Sequence, residues 1–239
     1  MMDKPDRILH LAAVARFAEA DKDPKLAFET NVVGTANVAQ ACKKYKVPVV
    51  YSSTGSVYMP IKNDPPIKED WPVKGNSVYG CSKATGEKYI ETCNPHIILR
   101  YAHLYGAEKK MHGLIGGYLD RINRGLAPTL YGGKQSNDFT AIADVATCNV
   151  KALFAPWNSW NQAFNVGTGE ELTAEDAGNI VCELTGYTGG VERVPAREVD
   201  PQRFAFDCTK AEIMIDFKAK YNFRDGLDKM FKELNVKKQ

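Results

Sequence analysis

The chain has 239 residues, 44% hydrophobic and 25% charged, a balance that points to one globular domain, or one domain with a smaller lobe. Its 31 basic and 29 acidic residues leave a net charge of +2, so no charge excess argues for nucleic acid or an anionic membrane as partner. Cys42, Cys81, Cys93, Cys148, Cys182 and Cys208 form no C-x-x-C pair and the four histidines are scattered; this argues against a metal site and fits a reducing compartment.

In chain order, Arg7-Ile-Leu-His-Leu-Ala-Ala13 reads as a buried strand. No apolar run reaches the ~20 residues of a membrane span. Arg16, Glu19 and Asp21 interrupt any signal-like stretch, so the expected location is cytoplasmic. Pro24 to Lys44 reads as a helix, with Leu26, Val33, Asn37 and Ala41 near one face. Val47 to Ser53 is a second strand, and the Pro/Lys/Asp-rich stretch 60–75 is a loop. A helix is predicted from Val78 to Cys93, stopped by Asn94-Pro95, and His96 to Tyr101 is a third strand. Strand, helix, strand, helix, strand is the pattern of a parallel sheet with right-handed crossovers. Further on, helices are expected over Leu114–Arg124, Asp144–Phe154 and Asp225–Leu234. Ala163 to Gly167 is a short strand, and a helix begins at Thr173 with Asp176 as its capping partner.

The residues with chemistry are Tyr79-Gly-Cys-Ser-Lys83. Four residues are about one helical turn, so phenol and ammonium share a face. A phenol with pKa ~10 is a poor base at neutral pH, and a nearby ammonium lowers that pKa. The pair can then take a proton from an alcohol while hydride leaves the carbon. Tyr-x-x-x-Lys alone is common on surfaces. Its context is Ser52-Ser53-Thr54-Gly55-Ser56-Val57-Tyr58 at the carboxyl end of a predicted strand, where open parallel sheets bind ligands. By itself that segment also suits an ordinary strand-to-loop turn.

Further segments fall into the same order: Asp6-Arg-Ile-Leu-His-Leu-Ala-Ala13, Asn31-Val-Val-Gly-Thr-Ala-Asn37, Leu99-Arg-Tyr-Ala-His-Leu-Tyr-Gly106, Gly132-Gly-Lys-Gln-Ser-Asn-Asp-Phe139 with Asp144-Val-Ala, Phe164-Asn-Val-Gly-Thr-Gly169 and Asp207-Cys-Thr-Lys-Ala211. Together with Ser52-Ser53-Thr54 and the Tyr79/Lys83 pair, they resemble the extended short-chain dehydrogenases/reductases of the NAD-dependent sugar-nucleotide epimerase/dehydratase family. The resemblance covers nearly the whole chain. It implies an α/β fold with a partial Rossmann-like parallel sheet and a small α+β C-terminal substrate lobe. Residues 1–110 would form a truncated dinucleotide-binding part, and 111–239 mainly the substrate lobe with returning segments. It implies Thr54, Tyr79 and Lys83 as catalytic set, and Leu11, Ala12, Ala13, Asn31 and Ser52, with Tyr79 and Lys83, on the NAD side. His103, Asn137, Arg197 and Asp200, with Thr54, would face a nucleotide-sugar substrate. Neither nucleic acid nor membrane is expected as partner; self-association into a homo-oligomer stays open.

The chain also departs from the family. Gly-x-x-Gly-x-x-Gly, the loop that holds a pyrophosphate at a helix N-terminus, does not precede Ile8. The expectation is that roughly 60 residues, about two crossover units, are missing, and that NAD binding by the isolated chain is weak or lost. His103 stands where the family usually has Asn, and Asn137 where many epimerases have Arg. Gly55-Ser56 follows Thr54 where sugar-nucleotide dehydratases carry Asp-Glu, which favours a 4-epimerase-like activity. The alternative is a non-catalytic, truncated member that acts as an interaction protein through an exposed sheet edge.

Overall fold

The computed structural model describes residues 4–58, 65–107, 113–195 and 203–236. It begins with strand β1 (Ile8–His10), followed by α1 (Phe17–Lys22) and α2 (Pro24–Phe28). Asp23 Oδ1 accepts the Leu26 N–H at 2.9 Å and so satisfies one of the otherwise orphaned donors of the first turn of α2. A wider π-helical stretch, Glu29–Gly34, carries α2 into α3 (Thr35–Tyr45). Next come β2 (Val49–Thr54), a single 3-10 turn over Gly55–Tyr58, α4 (Val78–Ile90), β3 (His96–Tyr101) and β4 (His103–Tyr105). The second half contains α5 (Gly113–Asn123), β5 (Thr129–Tyr131), β6 (Ser136–Asn137), β7 (Phe139–Ala141), α6 (Ile142–Leu153), β8 (Gln162–Val166) and β9 (Leu172–Thr173). It closes with α7 (Ala174–Thr185), β10 (Glu192–Val194), α8 (Thr209–Ile215) and α9 (Phe223–Glu233). Thr173 caps α7 by accepting the Asp176 N–H at 3.0 Å, as its sequence position suggested.

The central sheet is parallel, in the order β1-β2-β3-β8. β2 and β3 are in register from Val49 opposite His96 to Thr54 opposite Tyr101. Alternate residues serve opposite faces. Val49, Tyr51 and Ile98 pack with Ala39, Cys42, Ile90 and Cys93 under α3 and α4. Val50, Ile97 and Leu99 pack on the other face with Val145, Cys148, Ala152, Ala211 and Ile215 from α6 and α8. Strands covered on both faces read as continuous apolar runs, which is why β2 and β3 are legible in the sequence. A second core joins α5, α7 and α9 around Tyr118, Leu119, Leu130, Phe139, Val181 and Leu227. Two parallel pairs, β4 with β7 and β5 with β10, belong to this half.

Two features differ from the sequence reading. The helix expected over Pro24–Lys44 contains the π-helical stretch. Its stripe of Leu26, Val33, Asn37 and Ala41 is exposed, while Ala27, Val32, Thr35, Ala39 and Cys42 are buried. The inward face carries small side chains because α3 lies close against α4.

Helix α4 is fixed by a buried polar network. The Glu87 carboxylate accepts from Arg100 Nε (3.1 Å) and Nη2 (2.8 Å) and from Ser53 Oγ at 2.5 Å. Arg100 Nη1 donates to Tyr58 Oη (2.7 Å) and the Glu69 carbonyl (3.0 Å), and Tyr58 Oη donates to Asn165 Oδ1 (2.8 Å). Arg100→Met should destabilise the fold by about 3–5 kcal/mol, because it leaves Glu87 buried without its cation. Removing both charges, in Glu87→Leu with Arg100→Met, should recover most of that loss. Equilibrium urea unfolding measures both. A single-variant loss below about 1 kcal/mol, the scale of an exposed pair, would contradict a structural role for the ion pair.

Candidate active site

Tyr79, Lys83 and Glu87 are spaced by four residues on α4, and all three are buried on its inward face. Ser77 caps the helix by accepting the Gly80 N–H at 3.0 Å, so Tyr79 stands in its first turn. Thr54 is the last residue of β2. Its hydroxyl accepts the Ser56 N–H and donates to Ser56 Oγ, each at 3.2 Å. The Thr54 hydroxyl also bears on the Tyr79 phenol: burial raises the phenol's pKa, and Thr54 partly offsets that rise. The Phe17 ring covers Tyr79 edge-on at 5.3 Å.

Lys83 is only 1% exposed. Burial lowers its pKa to about 7, against the pull of Glu87 in the other direction. Its Nζ stands 4.2 Å from the centre of the Tyr51 ring and makes no hydrogen bond among the described residues. The ammonium expected to draw the phenol down is thus itself held near neutrality, because burial outweighs charge–charge attraction here. A proton donor and acceptor near the middle of the pH scale therefore stands one turn from the phenol, at the carboxyl end of the sheet.

The residues expected on the cofactor side divide into two kinds. Leu11 and Ala12 are exposed and Ala13 half-buried, on the segment that leaves β1. Ser52 faces the buried Tyr101 phenol, which donates to Asn149 Oδ1 at 2.5 Å. Asn31, by contrast, is 1% exposed and its amide is engaged. It accepts the Val14 N–H (2.8 Å) and donates to the Val14 carbonyl (3.0 Å) and Ser82 Oγ (2.9 Å). Asn31 therefore ties the segment after β1 to α4, and it does so from within the π-helical stretch, a distortion that often marks functional positions.

On the substrate side, His103 is exposed and lies against the Phe139 and Phe204 rings. Asn137 is buried, with its Oδ1 lacking a hydrogen-bond partner. Between them, the fully buried Asp138 accepts from Thr168 N (2.9 Å), Thr168 Oγ1 (2.7 Å) and Gly169 N (2.9 Å), and its carbonyl accepts the His103 N–H. Gly167 must be glycine-sized, since a Cβ would overlap the Asp138 carboxylate. A Cβ on Gly55 would likewise strike Phe204 and Phe206, so the turn after Thr54 packs on the ring that touches His103. That chain of contacts places Thr54 and His103 in one neighbourhood. Arg197 and Asp200 lie outside the described residues.

Sequence reasoning missed Glu87, Asp138, Tyr51 and His10. His10 is buried, shares a 3.0 Å hydrogen bond with Thr35 Oγ1, and has a pKa lowered to about 4 by burial and then by the Lys83 charge. Glu87 had a local signal, one turn beyond Lys83.

The match to known proteins is consistent along the chain. Residues 1–167 match the NAD dependent epimerase/dehydratase family. The chain is 28% identical to UDP-glucose 4-epimerase of Mycolicibacterium smegmatis, with 99% of this chain and 78% of that protein covered. The crystal structure of UDP-glucose 4-epimerase from Thermotoga maritima with UDP-glucose superposes with a TM-score of 0.87 at 26% identity, covering 97% of this chain and 77% of that one. That of the Thermus thermophilus UDP-glucose 4-epimerase complex with NAD gives 0.84 at 29% identity, covering 97% and 78%. No described helix is long and apolar enough to cross a membrane. With its parallel sheet, its Tyr79/Lys83 helix and these similarities, the chain belongs to the NAD dependent epimerase/dehydratase family.

Proposed function

We propose that this chain carries the catalytic residues of an NAD-dependent nucleotide-sugar epimerase acting at the sugar C4. The observation that supports it is the convergence of Thr54, Tyr79 and a buried Lys83 at the carboxyl ends of β2 and its neighbours. With its own proton passed to the neutral Lys83 amine one turn away, the Tyr79 phenolate takes the proton of the sugar hydroxyl as the adjoining carbon is oxidised, and returns it after the sugar has turned over. Thr54 hydrogen-bonds the same oxygen and keeps it beside the phenol. Gly55-Ser56 after Thr54, in place of two acids, supports epimerisation over dehydration.

The residues fit the nicotinamide end of NAD. Lys83 Nζ is a buried donor set for a hydroxylated ring, with no acceptor of its own among the described residues. Leu11, Ala12, Ala13 and Ser52 would complete the cofactor side, and Asn31 holds the segment after β1 through Val14. When bound, NAD supplies the acceptor that takes and returns hydride. His103 and Asn137, whose carbonyl oxygen lacks a partner, serve the nucleotide sugar. Arg197 and Asp200 serve its diphosphate and base. A second reading, an interaction protein, draws on β1, whose outer edge pairs with no strand among the described residues.

Tyr79→Phe removes only the phenolic oxygen. It should lower turnover by about 10²–10⁴-fold, the usual worth of a general acid–base group, while leaving the NAD dissociation constant within about twofold. Steady-state assay with UDP-glucose and calorimetry with NAD measure the two. Turnover that survives the substitution would overturn the catalytic assignment.

These 239 residues contain no Gly-x-x-Gly-x-x-Gly loop. On their own they should grip the NAD pyrophosphate poorly. Each charge-assisted hydrogen bond is worth roughly 1.5–3 kcal/mol, and every 1.4 kcal/mol is about tenfold in affinity. Calorimetry on this polypeptide should give a millimolar dissociation constant. A micromolar constant at one site per chain would mean that the phosphates find another anchor here.

A further inference from the structure

Tyr51 sits in the middle of β2, fully buried, with its ring turned toward α4. The Lys83 ammonium stands 4.2 Å from the ring centre, well inside the ~6 Å range over which a cation is attracted to an aromatic face. The His10 ring tilts against the same tyrosine at 5.5 Å between centres. Gly86, three residues beyond Lys83, makes room for the phenol: a Cβ there would overlap the Tyr51 hydroxyl. The hydroxyl forms no well-made hydrogen bond; its polar neighbour Thr35 is already engaged with His10. What the side chain contributes is therefore its ring face.

We infer that Tyr51 is a positioning residue: its ring is the platform that holds the Lys83 ammonium at the cleft, with Gly86 shaped to admit it. This rests on the reading above, in which Lys83 serves the cofactor. A buried ammonium without a hydrogen-bond acceptor loses most of its hydration, and the ring quadrupole is the contact that replaces part of it. The other ionisable groups facing Lys83 are His10 from β1 and Tyr79 and Glu87 from α4, with Arg100 of β3 already engaged by Glu87. Of these, only His10, whose ring also packs on Tyr51, is touched directly when Tyr51 is replaced.

The test uses the full chain, with the titration read without NAD and the NAD affinity measured separately. Side-chain NMR of isotope-labelled lysine, with the Lys83 signal identified by its loss in Lys83→Met, follows the titration of Lys83, which burial draws down to about 7. Tyr51→Leu keeps the site apolar and buried but removes the ring. It should lower the midpoint by roughly one pH unit, about tenfold in the protonation equilibrium, and weaken NAD binding by a similar factor. Tyr51→Phe should restore both. In a Lys83→Met background the Tyr51→Leu effect on NAD affinity should vanish, which a packing role alone would not produce. Should Tyr51→Leu fail to fold, Gly86→Ala supplies the perturbation from the helix side, and Tyr51→Phe should suppress it by removing the overlapping hydroxyl. A folded Tyr51→Leu chain with unchanged Lys83 midpoint and unchanged NAD affinity would overturn the inference. So would a Gly86→Ala defect that Tyr51→Phe leaves in place. Because the titration is read without cofactor or sugar, an active Tyr79→Phe enzyme would sink the proposed function and leave this result standing.

Discussion

The ion pair between Glu87 and Arg100 is the constraint on which the site depends. Both side chains are almost completely buried, and the guanidinium meets the carboxylate through Nε and Nη2. Left alone in the interior, either charge would cost several kcal/mol. Here Ser53 on β2, Tyr58 in the turn after it, and the Glu69 carbonyl supply further hydrogen bonds to the pair. The network thus joins α4 to two adjacent strands and to the turn that follows Thr54. Because Tyr79, Lys83 and Glu87 lie on one face of α4, fixing Glu87 inward also fixes where the phenol and the ammonium point.

Burial then determines the chemistry of that face. Desolvation raises the Tyr79 phenol and lowers the Lys83 ammonium, so each is moved toward its neutral form. Lys83, poised near neutral pH, can take up and give back a proton with little driving force either way. Two further buried devices hold the surroundings. Asn31 clamps the segment after β1 to α4 through Val14 and Ser82, and Asp138 clamps the Thr168–Gly169 turn beneath His103 and Asn137. Neither presents its polar atoms to the cleft. Both hold the adjoining segments in place.

Much of this was legible in the sequence. β2 and β3 carry apolar runs at residues 49–51 and 97–99 because both faces of the sheet are covered, and α4 announces itself through the Tyr79/Lys83 spacing and the Asn94-Pro95 stop. The inward face of the stretch 24–45 was misread because close packing against α4 selects Ala, Thr and Cys there, and leaves Leu26 and Val33 to solvent. β4, β6, β7, β9 and β10 have two or three residues each, too few to show a period of two. Asp138 and Tyr51 act through partners far away in sequence, Thr168 for the one and Lys83 for the other, and no local pattern marks such contacts. Asn31 was expected to line the cofactor side; its bonds to Val14 and Ser82 emerge only from the fold.

The account holds that this face oxidises a sugar carbon and then reduces the same carbon, with Tyr79 moving the proton. The most direct measurement is isotopic. UDP-glucose deuterated at C4 is incubated in ordinary water with the chain and NAD, and the sugar is analysed by NMR and mass spectrometry. The account predicts UDP-galactose that keeps its deuterium at C4. Product that has lost the label to solvent, or a sugar changed at another carbon with C4 untouched, would contradict it.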